Sequence, residues 1–200
     1  MELVIATRNE KKRQEIVELL EGLDIKVRSL SDFPEAPEVI EEGKSFKENA
    51  ARKAIEVAKF TGKMALADDS GLEVDVLCGE PGLYSARFAG EDQDDEANIQ
   101  KLLKLMEGVP EEKRKARFRC CVAIAKPEGL VKVVEGTCEG IIGFKSEGNY
   151  GFGYDPVFIV PDYNQTFAQL GPDVKNRISH RAKALKKARK ILTSLIGDST

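Results

Sequence analysis

Histidine is nearly missing from this sequence, with His180 its single copy, and tryptophan is absent altogether. A metal site built on several imidazoles is thereby excluded, and carboxylates are left as the metal ligands to look for. The four cysteines, Cys78, Cys120, Cys121 and Cys138, form no C-x-x-C pair, and the adjacent Cys120-Cys121 sits in an apolar run. That pattern fits buried free thiols, not a zinc site or a disulfide framework. No apolar run approaches a membrane span, and Met1-Glu2-Leu3-Val4 does not read as a signal peptide. A large charge of one sign is lacking too. The 31 basic residues nearly balance 34 acidic ones, and the formal net charge of −3 gives no reason to expect nucleic acid or a membrane as partner. What is present is enough apolar matter, 42% of 200 residues, to fill the core of one large domain or of two lobes, in a protein expected to be cytoplasmic.

The chain is organised around Ala67-Asp68-Asp69-Ser70-Gly71-Leu72, which follows the apolar run Met64-Ala65-Leu66-Ala67. The sequence predicts a strand that ends here, with Gly71 turning the chain and two neighbouring acids projecting from the rim of a sheet. Hard oxygen ligands so close together suit Mg²⁺, which takes carboxylates, water and substrate phosphates. A surface turn rich in Asp and Ser satisfies the same six residues when they are taken alone. A second candidate is Thr7-Arg8-Asn9-Glu10-Lys11-Lys12, between the strand Glu2–Ala6 and an amphipathic helix from Asn9 to Leu20. Thr7 or Asn9 can cap that helix. The free amides of the same junction also suit a phosphate, with Lys12 one turn inside.

Further along, a strand is predicted at Ile25–Arg28 and a proline-broken acidic loop over Ser29–Gly43, which holds Glu41. Ser45 and Glu48 form a capping box for a helix reaching Phe60, on which Lys53 lies off the core face. Leu72–Leu77 alternates like another strand, and Asp92–Met106 reads as a helix. Ala116–Ala125 and Leu130–Cys138 read as a hairpin with one wet face, turning at Lys126-Pro127-Glu128-Gly129. Gly148–Pro156 is punctuated by glycine and aromatics, so Phe152 or Tyr154 can stack a planar ring or plug the core edge. A single basic helix is predicted from Asp173 to Leu195. Ser179 and His180 lie on different faces of it and make no catalytic dyad.

Taken in order, several motifs form a series: Thr7-x-Asn9-x-x-Lys12, the Glu41 region, Glu48-Asn49-Ala50-x-x-Lys53-Ala54, Ala67-Asp68-Asp69-Ser70-Gly71-Leu72, Gly82-x-Tyr84-Ser85-Ala86-Arg87, Gly151-Phe152-Gly153-Tyr154-Asp155-Pro156 and Ser179-His180-Arg181. The series resembles the inosine/xanthosine triphosphate pyrophosphatases over nearly the whole chain. One departure is Tyr150, where many relatives carry another glycine. The resemblance implies a two-lobed α/β fold, one domain over residues 1–200, with a long mixed sheet flanked by helices and a cleft between the lobes. It implies a homodimer and Mg²⁺-dependent hydrolysis of ITP, dITP and XTP to monophosphate and pyrophosphate. By motif position it implies Asp69 as proton acceptor and metal contact, Glu41 as metal ligand, and Asp68 as a further ligand or a partner behind it. Thr7, Asn9, Lys12 and Ser70 are implied to hold phosphates or sugar, with Lys53 also among the substrate-binding residues. Phe152, Gly153, Tyr154, Asp155, Lys175, His180 and Arg181 are implied to frame the nucleotide and its base. The rival readings are a Mg²⁺-dependent hydrolase of modified pyrimidine triphosphates or one releasing orthophosphate, and a non-catalytic nucleotide or RNA binder using the basic helix.

Overall fold

The computed structural model describes residues 1–90 and 93–197. Seven strands form one mixed sheet in the order β2-β1-β3-β4-β5-β6-β7. β1 (Glu2–Ile5) runs parallel to β2 (Lys26–Ser29) and to β3 (Met64–Val74), with Leu3 opposite Met64 and Ile5 opposite Leu66. β6 (Phe158–Val160) is antiparallel to both β5 (Gly129–Ile142) and β7 (Gln165–Thr166). β4 (Lys115–Lys126) and β5 are joined by the two-residue turn Pro127-Glu128. The chain divides into two compact units: Met1–Asp69 with Cys120–Gly136 and residues from Arg181 onward, and Ser70–Arg119 with Thr137–His180.

The first unit covers its strands on both sides. Leu3, Val4 and Ile5 are all fully buried, as a parallel strand with two covered faces requires. One face packs Leu3, Ile5, Leu66 and Val122 against Ile16 and Leu20 of α1 (Glu10–Leu20). Ala184, Leu185, Ala188 and Leu192 of α5 (His180–Gly197) join the same cluster, an apolar stripe along one face of the helix. α2 (Phe46–Thr61) starts at Ser45, whose hydroxyl accepts from Glu48 N, and stops at Gly62 in the left-handed conformation.

In the second unit Phe118, Phe158 and Phe167 gather their rings, with Leu72, Val74, Leu102 and Met106 around them. The guanidinium of buried Arg114 donates to the carbonyls of Met106, Val109, Ile142 and Gly143. α3 (Asp95–Leu105) is capped by Asp94, whereas Asp92, where the predicted helix begins, lies outside the described residues.

Five expectations change. The strand predicted over Leu72–Leu77 stops at Val74 and gives way to a short helical turn at Asp75–Leu77, and Cys78 is an exposed thiol, not a buried one. β3 does not end at the two acids: it continues through Ser70, Gly71 and Leu72 to Val74, and Gly71 makes no turn. Burial of Leu72 and Val74 outweighs the turn chemistry of Asp-Ser-Gly. The wet face of the hairpin holds for β5 and for the start of β4, where Arg117 pairs with Asp75 and Glu139 and Arg119 with Glu73. From Cys120 to Ala125 β4 is buried on both faces, so alternation stops there. The predicted basic helix is two, α4 (Phe167–Ile178) and α5, separated by Ser179 in an extended conformation. No glycine or proline marks that break; the buried contacts of His180 and Arg181, described next, do.

Candidate active site

Successive side chains of a strand point to opposite faces, so Asp68 and Asp69 part at once inside β3. Asp68, on the same face as Met64 and Leu66, accepts from Arg181 through Oδ2 at 3.3 Å from Nε and 3.2 Å from Nη2. The Lys12 ammonium lies 3.5 Å from the same oxygen. Arg181 also bonds Glu15 of α1 through Nη1. Two acids thus balance two bases with Asp68 and Arg181 at most 2% exposed. Burial alone would raise the Asp68 carboxyl; Lys12 and Arg181, with Lys53 behind them, outweigh it and hold that carboxyl well below the usual carboxylate range. Burial likewise opposes the Arg181 charge, and Asp68 and Glu15 more than restore it.

Asp69 faces α2. Asn49 Nδ2 donates to its Oδ2 at 3.1 Å, and Lys53 Nζ lies 3.5 Å from its Oδ1. Lys53 Nζ also donates to Glu41 Oε1 at 3.1 Å. Asn49 and Lys53 are four residues apart on one helix, so they sit one above the other and reach the same carboxylate. Here Asp69 and Glu41 both face the Lys53 ammonium. Burial pushes the Asp69 carboxyl up, and with Glu41 beside it Lys53, Lys12 and the Asn49 bond do not bring it back. Burial works against the Lys53 ammonium, but Asp69, Asp68 and Glu41 keep it charged.

Glu41 arrives on residues 33–45, which form no helix or strand. That segment is fastened by Arg8 Nη2 donating to Ala36 O at 2.8 Å, Arg52 Nη1 to Ile40 O at 3.3 Å, and Gly43 N to Asn49 Oδ1 at 2.7 Å. At the start of α1, Asn9 Oδ1 accepts from Lys12 N at 3.0 Å and Thr7 Oγ1 from Asn9 N at 3.2 Å. Asn9 is therefore the cap of α1, and Thr7 accepts from the backbone of that cap residue. Ser70 follows on β3, half-buried, as the first residue of the second unit. Among the described residues no three His, Cys, Asp or Glu side chains gather as a metal cluster. Glu41 and Asp69 offer a smaller set: hard oxygens around one shared ammonium. That suits Mg²⁺, which is commonly held by one or two carboxylates and completed by water and phosphate.

The second unit has its own polar cluster. Asp155 Oδ2 accepts from Phe152 N at 2.8 Å and from Lys175 Nζ at 2.6 Å. The same ammonium lies 4.4 Å from the centroid of the Phe152 ring. Gly151 permits the fold of this loop: its φ is +80°, and a Cβ there would lie 2.1 Å from Asp155 Oδ2. Gly153 N donates to Asp95 Oδ2 at 2.9 Å. Tyr154 turns into the core, its hydroxyl donating to Ser85 O at 2.8 Å, which leaves Phe152 as the half-buried aromatic of the pair. His180 is buried and stacked on Phe118 at 4.6 Å.

The structure thus joins Lys12, Asp68 and Arg181 in one cluster and Glu41, Lys53 and Asp69 in another within the first unit. It joins Phe152, Asp155 and Lys175 within the second. Sequence reasoning missed Asn49, Glu15 and Asp95. Asn49 carried a signal, a polar side chain on the apolar stripe of Phe46, Ala50 and Ala54. Glu15 carried none, because its partner is 166 positions away.

A family model, the Ham1 family, matches residues 3–191. A protein of Desulforamulus reducens named dITP/XTP pyrophosphatase is 57% identical over 98% of this chain and 97% of its own length. One of the same name from Bacillus subtilis is 51% identical over 96% of each. Among solved structures, the Ham1 protein of Staphylococcus aureus superposes with a TM-score of 0.87 at 41% identity, covering 97% of this chain and 99% of that one. A HAM1 protein from Coxiella burnetii gives 0.88 at 41% identity, with the same coverage. On its sequence and its fold alike, this chain belongs to the Ham1 family.

Proposed function

We propose that this protein hydrolyses ITP, dITP and XTP at the α–β phosphoanhydride, releasing the nucleoside monophosphate and pyrophosphate. The observation that carries the chemistry is the Glu41–Lys53–Asp69 cluster, in which one carboxylate is buried and raised above the ordinary range while its neighbour Asp68 stays ionised. Two adjacent acids pushed in opposite directions can divide their duties. Asp69 accepts the proton of the attacking water, a role that favours a carboxyl raised toward working pH. Asp68 keeps Lys12 and Arg181 in place and takes no part in the proton transfer.

Glu41 and Asp69 would hold Mg²⁺, which when bound neutralises the charge that develops on the leaving pyrophosphate. Lys53 and Lys12, both partly exposed, face the incoming polyphosphate from two directions. Phe152 offers a face to the purine, and the Lys175 ammonium beside it favours the 6-carbonyl of hypoxanthine or xanthine over the 6-amino group of adenine. The substrate names come from the relatives' own, dITP/XTP pyrophosphatase, at 51–57% identity. A cytoplasmic homodimer that binds no nucleic acid belongs to the same proposal, supported by the family resemblance and the net charge of −3. Among the described residues no helix is long and apolar enough to cross a membrane.

One assay tests the reading: purified protein, with and without Mg²⁺, a panel of nucleoside triphosphates, and separate detection of pyrophosphate and orthophosphate. Mg²⁺-dependent pyrophosphate release from dITP and XTP, with ATP far slower, is expected. Orthophosphate as the product, or equal kcat/KM for ATP, overturns it. Light scattering of the purified protein tests the dimer.

A further inference from the structure

We propose that Asn49 is a positioning residue of the Asp69 centre, its single amide tying the backbone of the Glu41-bearing segment to the Asp69 carboxylate. The inference rests on the pyrophosphatase reading and deepens it. The orientation of the amide follows from the chemistry of its partners. Gly43 N–H can only donate and an ionised carboxylate can only accept, so Oδ1 must face Gly43 and Nδ2 must face Asp69. Asn49 is 3% exposed and lies inside a helix, where asparagine is a poor helix former and a buried amide is costly unless it is bonded. Its two bonds account for its presence.

Gly43 shows how closely the parts fit. A Cβ there would lie 2.4 Å from Asn49 Oδ1 and 2.9 Å from Glu48 Cβ. Its φ is not among the positive ones, so close approach, not backbone freedom, calls for glycine. Next to it, Lys44 N donates to Glu48 Oε2 at 2.9 Å. The contacts close a ring: Asp69 to Asn49, Asn49 to Gly43, two residues back to Glu41, Glu41 to Lys53, and Lys53 back to Asp69. Every link but the Asn49 ones runs along the backbone or through the flexible lysine stem. Removing the amide takes away the fixed Asn49 link between the two acids and leaves the link through the Lys53 ammonium, with its three rotatable donors.

The test uses Asn49→Ala, Gly43→Ala and the double variant, with two readouts: dITP kinetics at saturating Mg²⁺, and calorimetric Mg²⁺ binding to the nucleotide-free protein. Each single variant is expected to lose about 10- to 100-fold in kcat with KM changed by no more than about threefold. Mg²⁺ binding should weaken about 10-fold, as loss of a group that orients a ligand does. The double variant should be no worse than the poorer single, because both changes cut one connection. Wild-type kcat and Mg²⁺ binding in either single variant overturns the proposal. So do effects that multiply in the double, or losses that match the unfolded fraction in a thermal melt. If Asn49→Ala does not melt cooperatively, Gly43→Ala alone decides on the same two readouts. Failure of the underlying reading is distinct: the wild-type protein would release no pyrophosphate from dITP, while the Mg²⁺ titrations would still report on the ring.

Discussion

Asp68 and Asp69 are consecutive residues of one strand, and they live in different electrostatic worlds. On one face of β3 the charges of Asp68, Glu15, Lys12 and Arg181 cancel, and the central carboxylate is sealed. On the other, Asp69 and Glu41 share the Lys53 ammonium, and Glu41 raises the Asp69 carboxyl while Lys53 and Lys12 lower it. The contrast teaches that burial by itself does not set the state of a carboxyl. Both are buried; Lys12, Arg181 and Lys53 hold Asp68 down, whereas at Asp69 Lys53 and Lys12, opposed by Glu41, do not offset the burial.

The sharpest way to break the contrast is Asp69→Asn. It should lower kcat for dITP at least ~10²-fold, since it removes the proposed proton acceptor together with its charge. Pyrophosphate release at the wild-type rate would end the distinction between the two acids. Next in size is Asp68→Asn, which leaves two buried or half-buried cations facing Glu15 alone. It should cost about 3 kcal/mol in a denaturant titration, as breaking a buried pair does. An unchanged midpoint would mean that the sealed face is not held by its charges.

The pH dependence of melting in Mg²⁺-free buffer sharpens the comparison further. The Asp68 carboxyl lies lower folded than its unfolded value of about 3.9, so its contribution is full above that pH and is lost as pH falls toward the folded value. The Asp69 carboxyl is raised, so its contribution is present below about pH 3.9 and is lost as pH rises through the folded value. At pH 7 Asp69→Asn should therefore melt above the wild type, with the difference gone below about pH 4. Asp68→Asn should lose its deficit over that acid range. The smallest effect is reserved for Glu15→Gln at the edge of the neutral cluster: about 1 kcal/mol in stability, with kcat changed less than about threefold.

Much of this was legible before the fold was seen, and the limits have physical causes. The strands Glu2–Ile5 and Lys26–Ser29, the capped helix beginning at Phe46 and the β4–β5 hairpin follow from local patterning and turn chemistry. The motif series led to the family. Illegible was the continuation of β3 past Gly71, because Asp-Asp-Ser-Gly prefers a turn until Leu72 and Val74 find a core and Arg181 finds Asp68. The break at Ser179 was hidden for the same reason: nothing in Ile178-Ser179-His180 interrupts a helix except the distant groups that His180 and Arg181 must reach. Asn49 shows the reverse case. Its polarity on an apolar stripe was visible, but its partners Gly43 and Asp69 come from two other segments.

The Glu15–Arg181–Asp68 bridge also has a consequence for how the molecule is made. Its bonds span 113 and 166 positions. A ribosome delivers Glu15 and Asp68 long before Arg181, so the nascent chain holds an acid in its central strand before the guanidinium that bonds it exists. The apolar stripe of α5 is missing over the same interval, leaving Leu3, Ile5 and Leu66 with α1 as their helical cover on that face. The first unit therefore completes itself only after α5 has been synthesised, through contacts of the long sequence separation that slows folding in general.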